Sequence, residues 1–314
     1  MTISVYTIVV TYNGMPWLEK CLASLAASSV STNLIIVDNG STDGTPARIR
    51  ELYPAILLLE PGENLGFGKA NNLGIRVALD AGADFVFLLN QDAWAEPACI
   101  AGLLKLFNIY PKLGIASPMH RDGDDQDYDA YFHRYLLESD IPAGLINQGN
   151  WNGAEPEIIF TRFVNAAAWL LSADCLKKTG GFDPVFFHYG EDRNFCQRAI
   201  FNGFSIGIST RVRICHDRAD RLLKKPDRET ELKKTLNNYL VEFCDVTRPV
   251  YRARMFKRSV RHLFYGITNK LKGRSTDADY HFRLSRSILL STRSVTNSRK
   301  NAGTRKDFLY LHYN

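Results

Sequence analysis

The sequence runs to 314 residues, 45% hydrophobic and 23% charged, which excludes wholesale disorder and allows one large domain with an appendage or two modest ones. Its net charge of +6 hides an asymmetry, because residues 246–314 hold 16 Lys/Arg against 3 Asp/Glu, a net of +13, and the remainder carries −7. A basic end on an acidic body points to an anionic partner, membrane phospholipid or polyphosphate, or to solvated helix faces; no nucleic-acid partner is expected.

Val5 to Val10 is a buried strand by its β-branched run, and a helix near Met15–Ala27 follows that would bury Trp17, Leu18, Leu22 and Leu25. Leu34 to Val37 is a second strand, ending in the turn-rich Asp38-Asn39-Gly40-Ser41-Thr42-Asp43-Gly44. A helix over Pro46–Tyr53, a strand at Ile56–Leu59, a helix over Lys69–Ala81 and a strand at Phe85–Leu89 continue the alternation. That rhythm predicts an α/β fold with a mostly parallel central sheet covered on both faces. Ligands of such sheets sit beyond the carboxyl ends of the strands, where the polar clusters Thr11-Tyr12-Asn13, Asp38 and Asn90-Gln91-Asp92 all fall.

Farther along, Arg121 to Tyr128 holds four Asp and reads as a loop, Phe160 to Leu171 is again apolar, and Gly180-Gly181 punctuates the chain. Past about Asp220 the pattern is helical and basic, so we divide the chain into residues 1–220, the α/β part, and 221–314, a basic helical C-terminal region. Phe256, Val260, Leu263 and Phe264 share one helical face, with Arg254, Lys257, Arg258 and Arg261 around the rest. Such a helix could rest on an anionic membrane, pack on the body or form a homodimer.

The six cysteines show no C-x-x-C spacing and read as reduced, mostly buried thiols. With no signal-peptide pattern and no run long enough to span a bilayer, the expected location is the cytoplasm, with peripheral contact at the inner face of the cytoplasmic membrane.

Several segments carry chemistry. Asp38 at a strand end can accept the N3–H of uracil or thymine while Tyr12 stacks on the ring; an Asx-turn and helix cap is the structural alternative. Asp92, emerging from a buried strand, can hold Mg²⁺ or Mn²⁺ against a pyrophosphate, and His216 is a candidate further ligand. Asn64-Leu65-Gly66-Phe67-Gly68-Lys69 lacks the third glycine of a dinucleotide fingerprint, but a glycine loop opening a helix still offers N–H groups to phosphate. Glu191-Asp192, amid aromatics, should have at least one raised pKa, which suits a general base.

In order and spacing these segments resemble the family-2 glycosyltransferases of GT-A fold, most closely a bacterial rhamnosyltransferase-like branch. The resemblance runs from about Ser4 to His216, through Val9-Val10-Thr11-Tyr12-Asn13-Gly14, Val37-Asp38-Asn39-Gly40-Ser41-Thr42-Asp43, Asn64-Leu65-Gly66-Phe67-Gly68, Leu88-Leu89-Asn90-Gln91-Asp92 and Gly180-Gly181-Phe182-Asp183. It implies that Thr11, Tyr12 and Asp38 hold the pyrimidine, that Asn13 belongs to the nucleotide site, and that Asn64, Gly66 and Lys69 line the nucleotide and phosphate region. By the same likeness Asp92 and His216 bind the metal, Asp192 is the base with Glu191 second, and Trp169 faces the acceptor. Two departures stand out: the D-x-D motif is Asn90-Gln91-Asp92, and Arg193-Asn194 follows the acidic pair where many relatives carry another Asp.

The implied reaction is inverting transfer from a dTDP- or UDP-sugar, dTDP-rhamnose among them, to a hydroxyl of a glycan or lipid-linked glycan in cell-surface polysaccharide synthesis. A non-catalytic sugar-nucleotide or glycan-binding module is the alternative. A sugar-phosphate nucleotidyltransferase would need a glycine-rich basic loop after the first strand, and Thr11-Tyr12-Asn13-Gly14 is not one.

Overall fold

A computed structural model describes residues 3–137, 157–218, 227–303 and 308–310. Nine strands form one sheet: β1 (Val5–Thr11), β2 (Asn33–Asp38), β3 (Leu57–Leu59), β4 (Phe85–Asn90), β5 (Ala93–Ala95), β6 (Leu113–Asp122), β7 (Ile158–Thr161), β8 (Ala168–Ser172) and β9 (Ser205–His216). Their order is β3-β2-β1-β4-β8-β6-β9-β5, with β7 pairing β9. β1, β2, β3 and β4 are mutually parallel, β8 runs antiparallel between β4 and β6, and β6 is parallel to β9.

β1, β2 and β4 are largely apolar because both faces of the sheet are covered. Successive residues feed opposite cores: Ile8, Ile35 and Leu88 point to one, Val9, Ile36 and Leu89 to the other. On the first face lie α3 (Phe67–Asp80), α6 (Ala173–Thr179) and α7 (Glu191–Phe201), which bury Ala70, Ile75, Leu176 and Phe195. On the second lie α1 (Leu18–Ala26), α2 (Thr45–Leu52) and α4 (Cys99–Ile109), through Leu22, Ile49 and Leu103. Each such side chain contributes about 1.5–3 kcal/mol on burial.

Several sequence expectations are corrected. The first helix begins at Leu18, and Trp17 is only half-buried because its indole Nε1 is drawn to Asp217 Oδ2, 3.0 Å away. The loop expected over Arg121 to Tyr128 is partly strand: β6 runs through Asp122, and Arg121 bridges back to Tyr128. Among the described residues the sheet ends at His216. The boundary expected at 220 lies outside the described residues.

Beyond it come α8 (Arg228–Cys244), α9 (Tyr251–Leu271), α10 (Ser275–Leu290) and α11 (Thr292–Gly303), preceded by α5 (Ala130–Leu137) in the first part of the chain. Gly266 lets α9 and α10 approach closely, since a Cβ there would meet the Phe282 ring at 2.5 Å, and the Ser259 and Ser285 hydroxyls meet at 2.9 Å. These helices pack on the α/β part: Leu240, Val241 and Phe243 share a core with Phe186. A 3-10 turn, Phe308–Tyr310, buries Leu309 in the first core. None of the described helices is long and apolar enough to cross a membrane.

Candidate active site

The crevice at the carboxyl ends of β1, β2 and β4 is built by side-chain braces. Asp38 is buried and accepts the Thr11 hydroxyl at 2.9 Å, the Ser41 amide at 2.9 Å and the Ser41 hydroxyl at 2.6 Å. A carboxylate offers about four acceptor positions, so roughly one remains for a ligand N–H. Thr11 is completely buried behind Asp38, which corrects its expected contact with the base to a bracing one. Tyr12 keeps an exposed ring while Gln91 holds its backbone at both ends, accepting from Tyr12 N at 2.9 Å and donating to Tyr12 O at 3.0 Å. Asn13 ties the same loop to the next one, its Oδ1 accepting the Thr42 amide at 2.8 Å.

The glycine loop is locked by an amide pair. Asn39 Nδ2 donates to Asn64 Oδ1 at 3.0 Å, and Asn39 Oδ1 accepts Leu65 N at 2.7 Å. Asn64 Oδ1 also accepts Gly66 N at 2.9 Å. Gly66 has φ +80°, and a Cβ on it would stand 2.2 Å from the Phe187 carbonyl oxygen, so only glycine fits. Phe67 N donates to that carbonyl at 3.2 Å. The loop that would receive phosphate is therefore stitched to the loop leading into the acidic pair, with Lys69, half-buried, in the first turn of α3.

Asp92 and His216 come together. Both are buried, and Asp92 Oδ1 lies 3.3 Å from His216 Nε2. Behind the imidazole, Asp129 Oδ2 is 3.7 Å from Nδ1, and Arg218 Nε grips the same carboxylate oxygen at 2.6 Å. Burial would raise the Asp129 carboxyl, but the Arg218 guanidinium overrides it and holds the group below its usual range. At 3.7 Å this carboxylate makes no hydrogen bond to Nδ1, which is buried without a partner. Among the described residues no three His, Cys, Asp or Glu side chains gather to hold an ion. The donor set of Asp92 and His216 fits a divalent cation that takes its other ligands from diphosphate oxygens and water.

The acidic pair opens α7, after the left-handed Tyr189 (φ 67°) and Gly190 (φ 98°). Glu191 is buried, with Oε2 lacking a hydrogen-bond partner; burial first, and the Asp192 charge second, push it up to about 8. Asp192 is half-buried and also raised by burial, against the pull of the Arg193 amide (2.7 Å), the Arg193 charge and the Ala166 backbone. Near neutral pH, then, Glu191 largely holds its proton, and Asp192 shares the raised titration of the interacting pair. Trp169 departs from expectation: it is fully buried, stacked on Phe182 with ring centroids 6.1 Å apart, and faces no acceptor space.

Some contributors escaped the sequence reading. Gln91 and Asn39 act as loop clamps, and Asn72 holds Phe182 from both sides, accepting its N–H at 2.7 Å and donating to its carbonyl at 2.8 Å. Only the position of Gln91 inside the strand-end motif could have signalled such a role.

With this geometry in hand, comparison with known proteins is informative. The profile of the family described as "Glycosyl transferase family 2" matches residues 6–168. The chain is 33% identical over 211 residues to an N-acetylglucosaminyl-diphospho-decaprenol L-rhamnosyltransferase of Mycobacterium tuberculosis, covering 61% of this chain and 69% of that one. It is 25% identical over 226 residues to the dTDP-rhamnosyl transferase RfbF of Shigella flexneri, covering 71% and 72%. Among solved structures, a mannosyltransferase from Pyrobaculum calidifontis in complex with GDP-Man and Mn²⁺ superposes with a TM-score of 0.55 at 17% identity, covering 97% of this chain and 81% of that one. S. aureus TarS 1-349 in complex with UDP gives a TM-score of 0.53 at 12% identity, covering 99% and 94%.

Proposed function

The chain belongs to glycosyl transferase family 2 and has the GT-A fold, and from that premise we propose that it transfers a sugar, with inversion, from a dTDP- or UDP-sugar to a hydroxyl of a lipid-linked glycan. The observation that carries this reading is the meeting in one crevice of a partly satisfied Asp38, the Asp92–His216 pair and an acidic pair with raised pKa values. Rhamnose is the favoured sugar, since two relatives are named for its transfer.

In the proposed step the acceptor oxygen bonds to the anomeric carbon as the bond from that carbon to the diphosphate oxygen breaks. Asp192 takes the hydroxyl proton, Asp38 and Tyr12 hold the pyrimidine, and Asn64 fixes the glycine loop that faces the diphosphate. Asp92 and His216 would hold a divalent cation, which would supply positive charge opposite the diphosphate.

Calorimetric titration with UDP, dTDP and GDP, each with and without Mn²⁺, tests the donor site. Metal-dependent binding of UDP or dTDP, weakened at least about tenfold by Asp92→Ala, is the expected result. No affinity for either pyrimidine diphosphate would turn the reading toward a glycan-binding module. Against such a module stands the cost of burying Glu191 beside Asp192, which binding alone does not need.

We also propose that the enzyme works at an anionic membrane surface, the inner face of the cytoplasmic membrane. On α9, Phe256 (66% exposed), Val260, Phe264 (61%) and Leu271 (83%) form an uncovered stripe flanked by Arg252, Lys257 and Arg261. Flanking cations favour anionic lipid over a second copy, whose own cations would repel them. The full chain should sediment with phosphatidylglycerol vesicles and not with phosphatidylcholine ones, and Phe256→Ser/Phe264→Ser should lose most of that binding. Equal sedimentation of the variant would refute the assignment.

A further inference from the structure

A cavity of about 480 Å³ opens beside Arg193, the residue after Asp192. Its walls come from separated parts of the chain: Tyr135 of α5, Arg162 and Phe163 after β7, Arg193 and Gln197 of α7, and Arg248 just before α9. The lining thus holds three arginines and one carboxylate, Asp245. Among the described residues only Arg248 of the three forms an ion pair, its Nε 3.1 Å from Asp245 Oδ2. The Arg193 Cζ lies over Phe163, 4.1 Å from the ring centroid, and Phe163 meets Tyr135 edge-on at 5.1 Å. That stack gives the arginine head a fixed orientation.

Two further observations point to a ligand. Gln197 Oε1 is buried with no hydrogen-bond partner, a position a ligand donor would satisfy. The cavity also shares the surroundings of the base: burial first, and then the Asp192 carboxylate, raise the Tyr135 phenol.

We propose that this cavity receives the phosphate-bearing end of the acceptor, a phosphate or diphosphate ester, and so presents the acceptor hydroxyl to Asp192. The proposal rests on the transferase reading above. Guanidinium forks match phosphate oxygens in pairs, and a net positive, partly enclosed cavity attracts a multiply charged anion more strongly than a neutral glycan. Gln197 would meet a hydroxyl or amide N–H next to the ester. Because Arg248 stands just before α9, the cavity is linked along the chain to the element that bears the uncovered apolar stripe.

The test is calorimetric titration of geranyl diphosphate into the full chain held at saturating dTDP or UDP, so that the donor crevice is filled. The wild type should bind, and Arg162→Gln/Arg248→Gln should bind about tenfold or more weakly with unchanged nucleotide affinity. Displacement of geranyl diphosphate by inorganic pyrophosphate would support a phosphate site. Equal affinity of the variant, or equally tight binding of geraniol, would overturn the proposal. So would loss of phosphatidylglycerol vesicle binding in the variant with geranyl diphosphate affinity intact, because it assigns these arginines to lipid headgroups. A wild type that binds no nucleotide fails the transferase reading instead, and it is recognised before any geranyl diphosphate is added.

Discussion

Asp192→Asn should lower turnover by about 10²–10⁴-fold while leaving nucleotide affinity unchanged. The substitution keeps the side chain's size and its place at the start of α7, and removes only the ability to take a proton. Product formation at saturating donor and acceptor, compared with dTDP or UDP titration, separates the two quantities. Glu191→Gln should cost far less at neutral pH, because the buried Glu191 carboxyl is already protonated there and Gln is a close mimic of that form. The reverse ranking would move the base to Glu191.

The pH dependence follows in sign. Asp192 is raised by burial, so turnover should fall as pH drops through its folded-state value, at a higher pH than an ordinary aspartate would give. Glu191 also binds its proton more tightly in the folded chain than in the unfolded one. Stability should therefore decline between about 4.5 and about 8 as the unfolded chain releases a proton that the folded chain retains. Glu191→Gln should flatten that decline in a series of thermal melts.

Arg198→Ala is expected to destabilise the fold by about 3–5 kcal/mol, measured by urea denaturation. Arg198 is 1% exposed, and its guanidinium donates to Asn194 Oδ1 at 2.8 Å, Thr179 O at 2.6 Å and Gly181 O at 2.8 Å. It also lies 4.7 Å from the centroid of the Phe308 ring and helps to keep the buried Asp183 charged. Alanine would strand two carbonyls, leave Asp183 without its nearby cation and open a large void at once. Arg198→Lys should recover little, since one ammonium cannot span the fork. A loss below about 1 kcal/mol would show that water or neighbouring groups replace these bonds.

Much of the nucleotide half was legible because β1, β2 and β4 are unbroken apolar runs ending in polar clusters, a pattern that encodes both strand and crevice. The Asp92–His216 pairing followed from the resemblance rather than from any local signal. β6 was missed because Gly114, Pro118 and His120 interrupt it, and β9 because Ser, Gly, Thr and Arg dilute its apolar residues. Trp169 was misplaced for a related reason. Its burial is decided by Phe182 and Phe195, which come from later in the chain. The Asp129–Arg218 brace and the arginine-lined cavity join distant segments, and no spacing along the chain announces them.

The position of β8 has a consequence for how the protein is made. Residues 168–172 fill the gap between β4 and β6, strands that leave the ribosome well before them. Until β8 emerges, β4 and β6 each present an open edge, the kind of surface on which nascent chains aggregate. The nucleotide-facing strands β1 to β4 can pair as they are synthesised. The half that carries the acidic pair must wait for β8 and β9, so the crevice acquires its Asp38 side first and its Glu191-Asp192 side last.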